Sequence, residues 1–303
     1  MGLPIRMIPV KTNFNFVKYK GIAFVFSLAI SIMVLVSLFT HGIKLGIDFS
    51  GGIVMEVRAT HDITVETFRE TLSKYGYDSA EIQEFGKEHD VIIRLQPKDA
   101  ENQVAEVKKI QEAITQELGE SIEFRKVDYV GPKVGKELVA NGLKALVVAI
   151  IGMLIYIWVR FDWQFGIGAV LSLAHDAIVT LGFFVVTGFD FDHTSIAAIL
   201  TIIGYSINDT VVIYDRIREN LRKHKDKPLK ELINLSINET LSRTVMTVLT
   251  TLLVCLALVL VGGEVLRGFS MALFFGIAFG TYSSIYVAAP ILLHTGLKVG
   301  KQQ

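Results

Sequence analysis

A single cysteine, Cys255, is all the thiol chemistry this chain of 303 residues offers. One thiol cannot form an intrachain disulfide, so any domain outside a membrane must hold together by packing alone. Net charge is missing too: 30 Lys and Arg are balanced by 30 Asp and Glu. That balance removes the basic excess expected of a nucleic-acid-binding chain. Apolar sequence, in contrast, is abundant. Hydrophobic residues make up 51 % of the chain, and six windows approach or exceed the roughly 18 to 20 residues that span a bilayer. They are 21–39, 143–159, 165–187, 196–214, 244–261 and 269–293, and they predict a polytopic α-helical membrane protein with six transmembrane helices.

The first window is preceded by Arg6, Lys11, Lys18 and Lys20 with no acid among them. Its apolar core is too long for a secretory signal, and no A-x-A-like cleavage site follows, so it reads as a permanent anchor. Basic residues then set the orientation. Eight lie in 216–243, and Lys298 and Lys301 lie at the C-terminus. With six spans these all fall on one side, which places both termini in the cytoplasm: a tail at 1–20 and another at 298–303, with 142–297 as the five-helix remainder. The segment 40–141, with 19 acidic and 13 basic residues, is expected on the opposite, extracytoplasmic side. Zero net charge thus conceals a basic inside and an acidic outside.

Within 40–141 the pattern is strand, helix, strand, strand, helix, strand. "GIVMEVRA", "AEIQEF", "VIIRL" and "SIEFRKVDYV" have the length and β-branched content of strands. Val65, Phe68 and Leu72 recur at helical spacing after Thr64, a plausible N-cap; Val104, Val107, Ile110, Ile114 and Leu118 do the same and stop at Gly119. The order matches an α+β ferredoxin-like βαββαβ domain between helices 1 and 2. His61 and His89 lack second ligands at metal spacing and read as surface residues, so no metal is expected.

Two glycine-bearing stretches flank this domain. "LGIDFSGG" carries Gly46, Asp48, Gly51 and Gly52; "VGPKVGKEL" carries Gly131, Pro132 and Gly135. The second lacks the G-x-x-x-x-G-K-[ST] spacing of a phosphate loop. Both read as structural connectors, either hinges or rigid couplings.

The chemistry is concentrated where hydrocarbon makes it costly. Asp209 lies in the fourth span, on a face with Tyr205 and Val212, while Asn208 lines up with Thr201 and Gly204. An ionisable group at that depth usually faces protein or water and usually serves transport. In the fifth span Arg243, Thr247, Thr250 and Thr251 form one stripe. If these two spans pack antiparallel, the long Arg243 stem can carry its guanidinium toward Asp209. Burial favours the neutral acid and a nearby guanidinium the carboxylate, so relative motion of the pair would capture and release a proton. The alternative is a static polar contact that fixes packing. His175 and Asp176, near the middle of the third span, belong either to the same ion pathway or to hydrogen bonds with neighbouring helices. Gly276 and Gly280 suit close helix packing.

With "LGIDFSGG", "VGPKVGKEL", "IGYSINDTVVIYDRIREN" and "LSRTVMTVLTTLLV" in this order, the chain resembles the SecD/SecF family of bacterial protein-export membrane subunits, on its SecF side, over essentially its whole length. The resemblance implies an accessory of the Sec translocase in the bacterial inner membrane, with a fold related to resistance-nodulation-division transporters. It implies proton-driven promotion of late preprotein translocation and release. The implied partners are SecD, the SecYEG translocon, the exported preprotein, membrane lipid and, as an additional candidate, YajC. It assigns proton conduction to Asp209 and Arg243, and implies no enzyme activity and no cofactor; sodium is the rival coupling ion. Two rival functions stand beside it: a proton-coupled half-transporter for a small lipid or drug-like molecule, and a passive scaffold that would tolerate Asp209→Asn.

Overall fold

The computed structural model describes residues 12–59, 63–84, 90–98, 103–119 and 122–297. His61, His89 and the tail cations Arg6, Lys11, Lys298 and Lys301 lie outside the described residues. The chain divides into two compact units, one of Leu45–Lys144 and one of Met1–Lys44 with Ala145–Gln303.

A 3-10 turn at Phe16–Tyr19 leads into helix α1, Lys20–Thr40. The segment before it is pinned by Asn238, whose amide accepts from the Phe14 N–H and donates to its carbonyl, both at 2.8 Å. In the first connector Ile47–Ser50 forms a single helical turn, α2.

The sheet unit follows: β1 (Gly52–Ala59), α3 (Val65–Lys74), β2 (Glu81–Glu84), β3 (Asp90–Leu95), α4 (Gln103–Leu118) and β4 (Ile122–Val130). The strands run in the order β2-β3-β1-β4, each pair antiparallel. Alternation along β1 turns Ile53, Met55 and Val57 to one face, where they meet Phe68 and Leu72 of α3 and Ile110 and Ile114 of α4. Each such fully buried side chain contributes about 1.5–3 kcal/mol, which is how a domain without disulfides holds. Thr64 caps α3 by accepting from the Thr67 N–H. Val104, read in sequence as part of the apolar stripe of α4, is 54 % exposed; the stripe that packs begins at Val107.

The long helices are α5 (Pro132–Arg160), α6 (Trp163–Thr187), α7 (His193–Lys223), α8 (Leu229–Val261) and α9 (Glu264–Ser283). Together with α1 they supply six helices long and apolar enough to cross a membrane. Gly188 ends α6 in the left-handed conformation, and a capping box between Asp192 and Ser195 starts α7. After α9 the chain widens into a π-helical turn, Ser284–Ala288, before α10, Ala289–Ile291. Pro290 has no N–H to offer the carbonyl four residues back, which accounts for the loosened turn.

Helices α7 and α8 both outrun their apolar windows. The basic stretch 216–243, which joins two apolar windows, is two helix ends linked by a short turn at 224–228. Arg216 pairs with Glu239 at 2.7 Å and Asn220 bonds Ser236 at 3.0 Å across this hairpin. Those polar pairs satisfy one another, so helix persists where hydropathy falls.

Candidate functional site

The α7–α8 seam is antiparallel, as its cross-links show: Arg216 meets Glu239, Asn220 meets Ser236, and the Thr251 hydroxyl donates to Tyr205 Oη at 3.2 Å. Each step along α7 matches the opposite step along α8. That register sets Asp209 level with Thr247 and puts Arg243 one turn nearer the polar hairpin. Asp209 is buried, and its Oδ2 has no hydrogen-bond partner among the described residues. Arg243 is exposed, and no ion pair joins it to the carboxylate among the described residues. Reaching Asp209 from Arg243 takes a one-turn offset along the seam, a distance for the long arginine stem to cross.

The rest of the α8 stripe divides. Thr247 and Thr250 turn their hydroxyls onto carbonyls of their own helix, and Thr251 alone bonds across to α7. Asn208 is exposed and Tyr205 half-buried. Thr244, which sequence reasoning passed over, lies within a turn of the level of Asp209 and also keeps a buried hydroxyl without a partner among the described residues.

A second polar cluster is tighter. Asp176 is 1 % exposed. Its Oδ2 accepts from Ser206 of α7 at 2.5 Å and from Ser283 of α9 at 2.9 Å, and Oδ1 lies 3.3 Å from His175 Nδ1. Ser172 extends the cluster by donating to Ser283 at 2.9 Å, and Thr210 and Ser284 bond one another at 2.8 Å. So His175 and Asp176 do share one interior, and Asp176 hydrogen-bonds to both neighbouring helices. His175 Nε2 is buried without a partner among the described residues. Sequence reasoning missed the serines because Ser and Thr are ordinary in packed membrane helices; only the third dimension gathers 172, 206 and 283 around one carboxylate.

Close packing makes this possible. A Cβ on Gly280 would stand 3.0 Å from Ser206 Cβ, and one on Gly276 would stand 2.3 Å from Ile202 Cδ1. The paired glycines of α9 thus seat α7 directly, as their spacing suggested.

The two glycine connectors also meet. A Cβ at Gly135 would lie 3.2 and 3.3 Å from the carbonyls of Asp48 and Phe49, and Gly51 and Gly52 take φ of +72° and +129°. Gly46 precedes α2, and Gly131 precedes Pro132, the first residue of α5. "VGPKVGKEL" is thus largely the opening of a 29-residue helix.

Comparison with known proteins agrees across both units. The family model described as "Protein export membrane protein SecD/SecF, C-terminal" matches residues 110–298, and the "SecD/SecF GG Motif" matches 36–63. The chain is 47 % identical over 289 residues to the protein translocase subunit SecF of Rickettsia bellii, covering 95 % of each. It is 46 % identical to that of Rickettsia prowazekii, covering 95 % of this chain and 93 % of the relative. A crystal structure of SecDF, a translocon-associated membrane protein from Thermus thermophilus, superposes with a TM-score of 0.84 at 38 % identity. A second, of SecDF in a super-membrane-facing form, does so at 0.70. The chain covers 39 % of the length of each SecDF chain, and 95 % of its own is covered.

Proposed function

The chain belongs to the SecD/SecF family of protein-export membrane proteins, and from that premise we propose that it is a proton-driven accessory of preprotein export acting together with SecD. A membrane role in protein export follows from the family. The proton mechanism rests on one observation above the rest: a buried carboxylate, Asp209, with an unpartnered oxygen, one turn along the α7–α8 seam from Arg243. A carboxylate in apolar surroundings is costly to keep charged and unpaired. Sliding α7 against α8 by about one turn, roughly 5.4 Å, would bring the guanidinium alongside. Proton loss and pairing would then be coupled, and so would proton gain and separation. Each proton moving through about 100 mV makes roughly 2.3 kcal/mol available, enough to bias such a shift.

Asp176 holds α7 to α6 and α9 through serines, so motion at Asp209 is felt across the bundle; His175 and Asp176 extend the polar path. The sheet unit, whose strand order and antiparallel pairing support a ferredoxin-like reading, is the part that engages emerging preprotein outside the cytoplasm, with both termini inside. The connectors that meet at Gly135 transmit the motion. SecD completes the transport unit, which works beside SecYEG, with YajC as an additional candidate, in the bacterial inner membrane. Covalent catalysis, cofactor and metal have no part in this cycle.

Proton flux into sealed vesicles carrying this chain with SecD, read by a pH-sensitive dye, separates this from small-molecule transport. Flux is expected to rise with translocating preprotein; flux that instead follows an added small lipid or drug-like molecule, with no preprotein present, overturns the proposal.

A further inference from the structure

One end of the helical unit, where α5 stops, α6 starts and α7 continues, carries a feature the export cycle does not use. Between α5 and α7 an open depression of about 320 Å³ is lined by four cations and two acids. Both acids are paired: Asp215 with Arg160 at 2.6 Å, and Glu219 with Lys223 at 2.6 Å. Arg218 and Arg222 are the remaining charge. Arg218 gives Nη1 to the Arg160 carbonyl at 3.2 Å and keeps a buried Nε with no partner among the described residues, while Arg222 is exposed. The depression thus holds two guanidinium groups whose charge no acid of the depression answers.

Less than one helical turn from Arg160, Ile157 and Trp158 line a different space. It is a groove of about 460 Å³ between α5 and α6, bounded otherwise by Trp163, Ile167 and Leu171 and almost wholly apolar. Trp158 is 77 % exposed and Trp163 59 %. They are the only two tryptophans of the chain. Indole rings at the end of apolar helices favour the headgroup level of a bilayer, and guanidinium forks match phosphate oxygens in geometry and charge.

We propose that this end of the bundle binds an anionic phospholipid, its phosphate on Arg218 and Arg222 and an acyl chain in the groove beside Trp158 and Trp163. A soluble phosphate would satisfy the cations and leave the groove unused. A zwitterionic lipid would fill the groove and leave the charge unanswered. Basic pockets beside membrane helices recruit acidic headgroups in this way, with about a five-fold preference for each cation near the surface.

Because both tryptophans lie in the groove, intrinsic emission of the full chain reports this site. The chain would be placed in phosphatidylcholine vesicles containing a fixed minor fraction of brominated phosphatidylglycerol or of brominated phosphatidylcholine. Brominated phosphatidylglycerol is expected to quench as though enriched about five-fold or more at the groove. Arg218→Gln with Arg222→Gln should bring the two lipids level. Lys225→Gln with Lys227→Gln removes the same charge from the neighbouring turn and should leave the preference intact. If the first pair fails to fold, Arg222→Gln alone, at an exposed position, carries the comparison and should lower the preference. Equal quenching by both lipids in the unaltered chain overturns the proposal. So does an equal loss in both charge-removed pairs, which means diffuse attraction, or abolition of the preference by inorganic phosphate, which means a soluble anion.

Discussion

Ser206 donates to Asp176 at 2.5 Å, one helical turn before Asp209. The bond fixes α7 to α6 one turn from the place where the proposed coupling carboxylate leaves its own oxygen unpaired. Hydrogen bonds between membrane helices are worth about 1 kcal/mol. Ser206→Ala should therefore cost about that much in thermal unfolding of the detergent-solubilised chain. Asp176→Ala also loses Ser283 and should cost about 2–3 kcal/mol. Equal costs for the two variants would mean that Ser283 adds nothing.

Gly168 tests how tightly the helices approach. A Cβ there would meet Tyr214 Oη at 2.3 Å and the Ala288 carbonyl at 2.8 Å, the two groups that bond one another at 3.1 Å. Neither backbone carbonyl nor buried phenol can step aside. Gly168→Ala is expected to destabilise by about 1–3 kcal/mol through overpacking and loss of that bond. Gly204→Ala on α7, with open space around it, should be close to neutral in the same unfolding measurement.

In the sheet unit, Tyr77 donates to the buried Glu106 at 2.9 Å. Burial first, and then that bond, push its phenol up from 10.0 to about 12. A proton held more tightly in the folded state stabilises the fold below pH about 10, and that contribution is lost as pH rises through about 12. Tyr77→Phe should flatten the fall in stability across that window. It should also cost about 1–3 kcal/mol at neutral pH, because Glu106 loses a donor to its charge. Hydrogen exchange of β1 and β3 in the full chain reads both effects; an unchanged alkaline slope would remove Tyr77 from the account.

Arg243 and Lys are not equivalent partners for a carboxylate. Arg243→Gln should abolish gradient-dependent export, and Arg243→Lys should keep part of it, since a charge on a flexible stem can still approach Asp209. If Gln and Lys variants behave alike, the charge at 243 is not what matters.

Much of this was legible in the chain. Six helices follow from apolar runs, and the sheet from alternation such as Ile53, Met55 and Val57 against Val54 and Glu56. Asp209 announced itself because a carboxylate in hydrocarbon is costly. Hydropathy was blind in two places, and for different reasons. The α7–α8 hairpin continues past Arg216 because its charges pair with one another, which an apolar window does not see. The serine shell of Asp176 comes from three helices, and no spacing along one chain reveals a meeting across 107 residues, as between Asp176 and Ser283. Arg243 shows the converse limit, since its stripe was readable and its one-turn offset from Asp209 was not.

Preprotein completion in sealed membrane vesicles, with this chain and SecD at equal abundance in every preparation, goes to the centre of the account. Wild type should complete more preprotein with a proton gradient than without, and Asp209→Asn should lose that increment while keeping the gradient-independent part. An Asp209→Asn complex that retains the full increment would make the carboxylate a packing residue and contradict the mechanism.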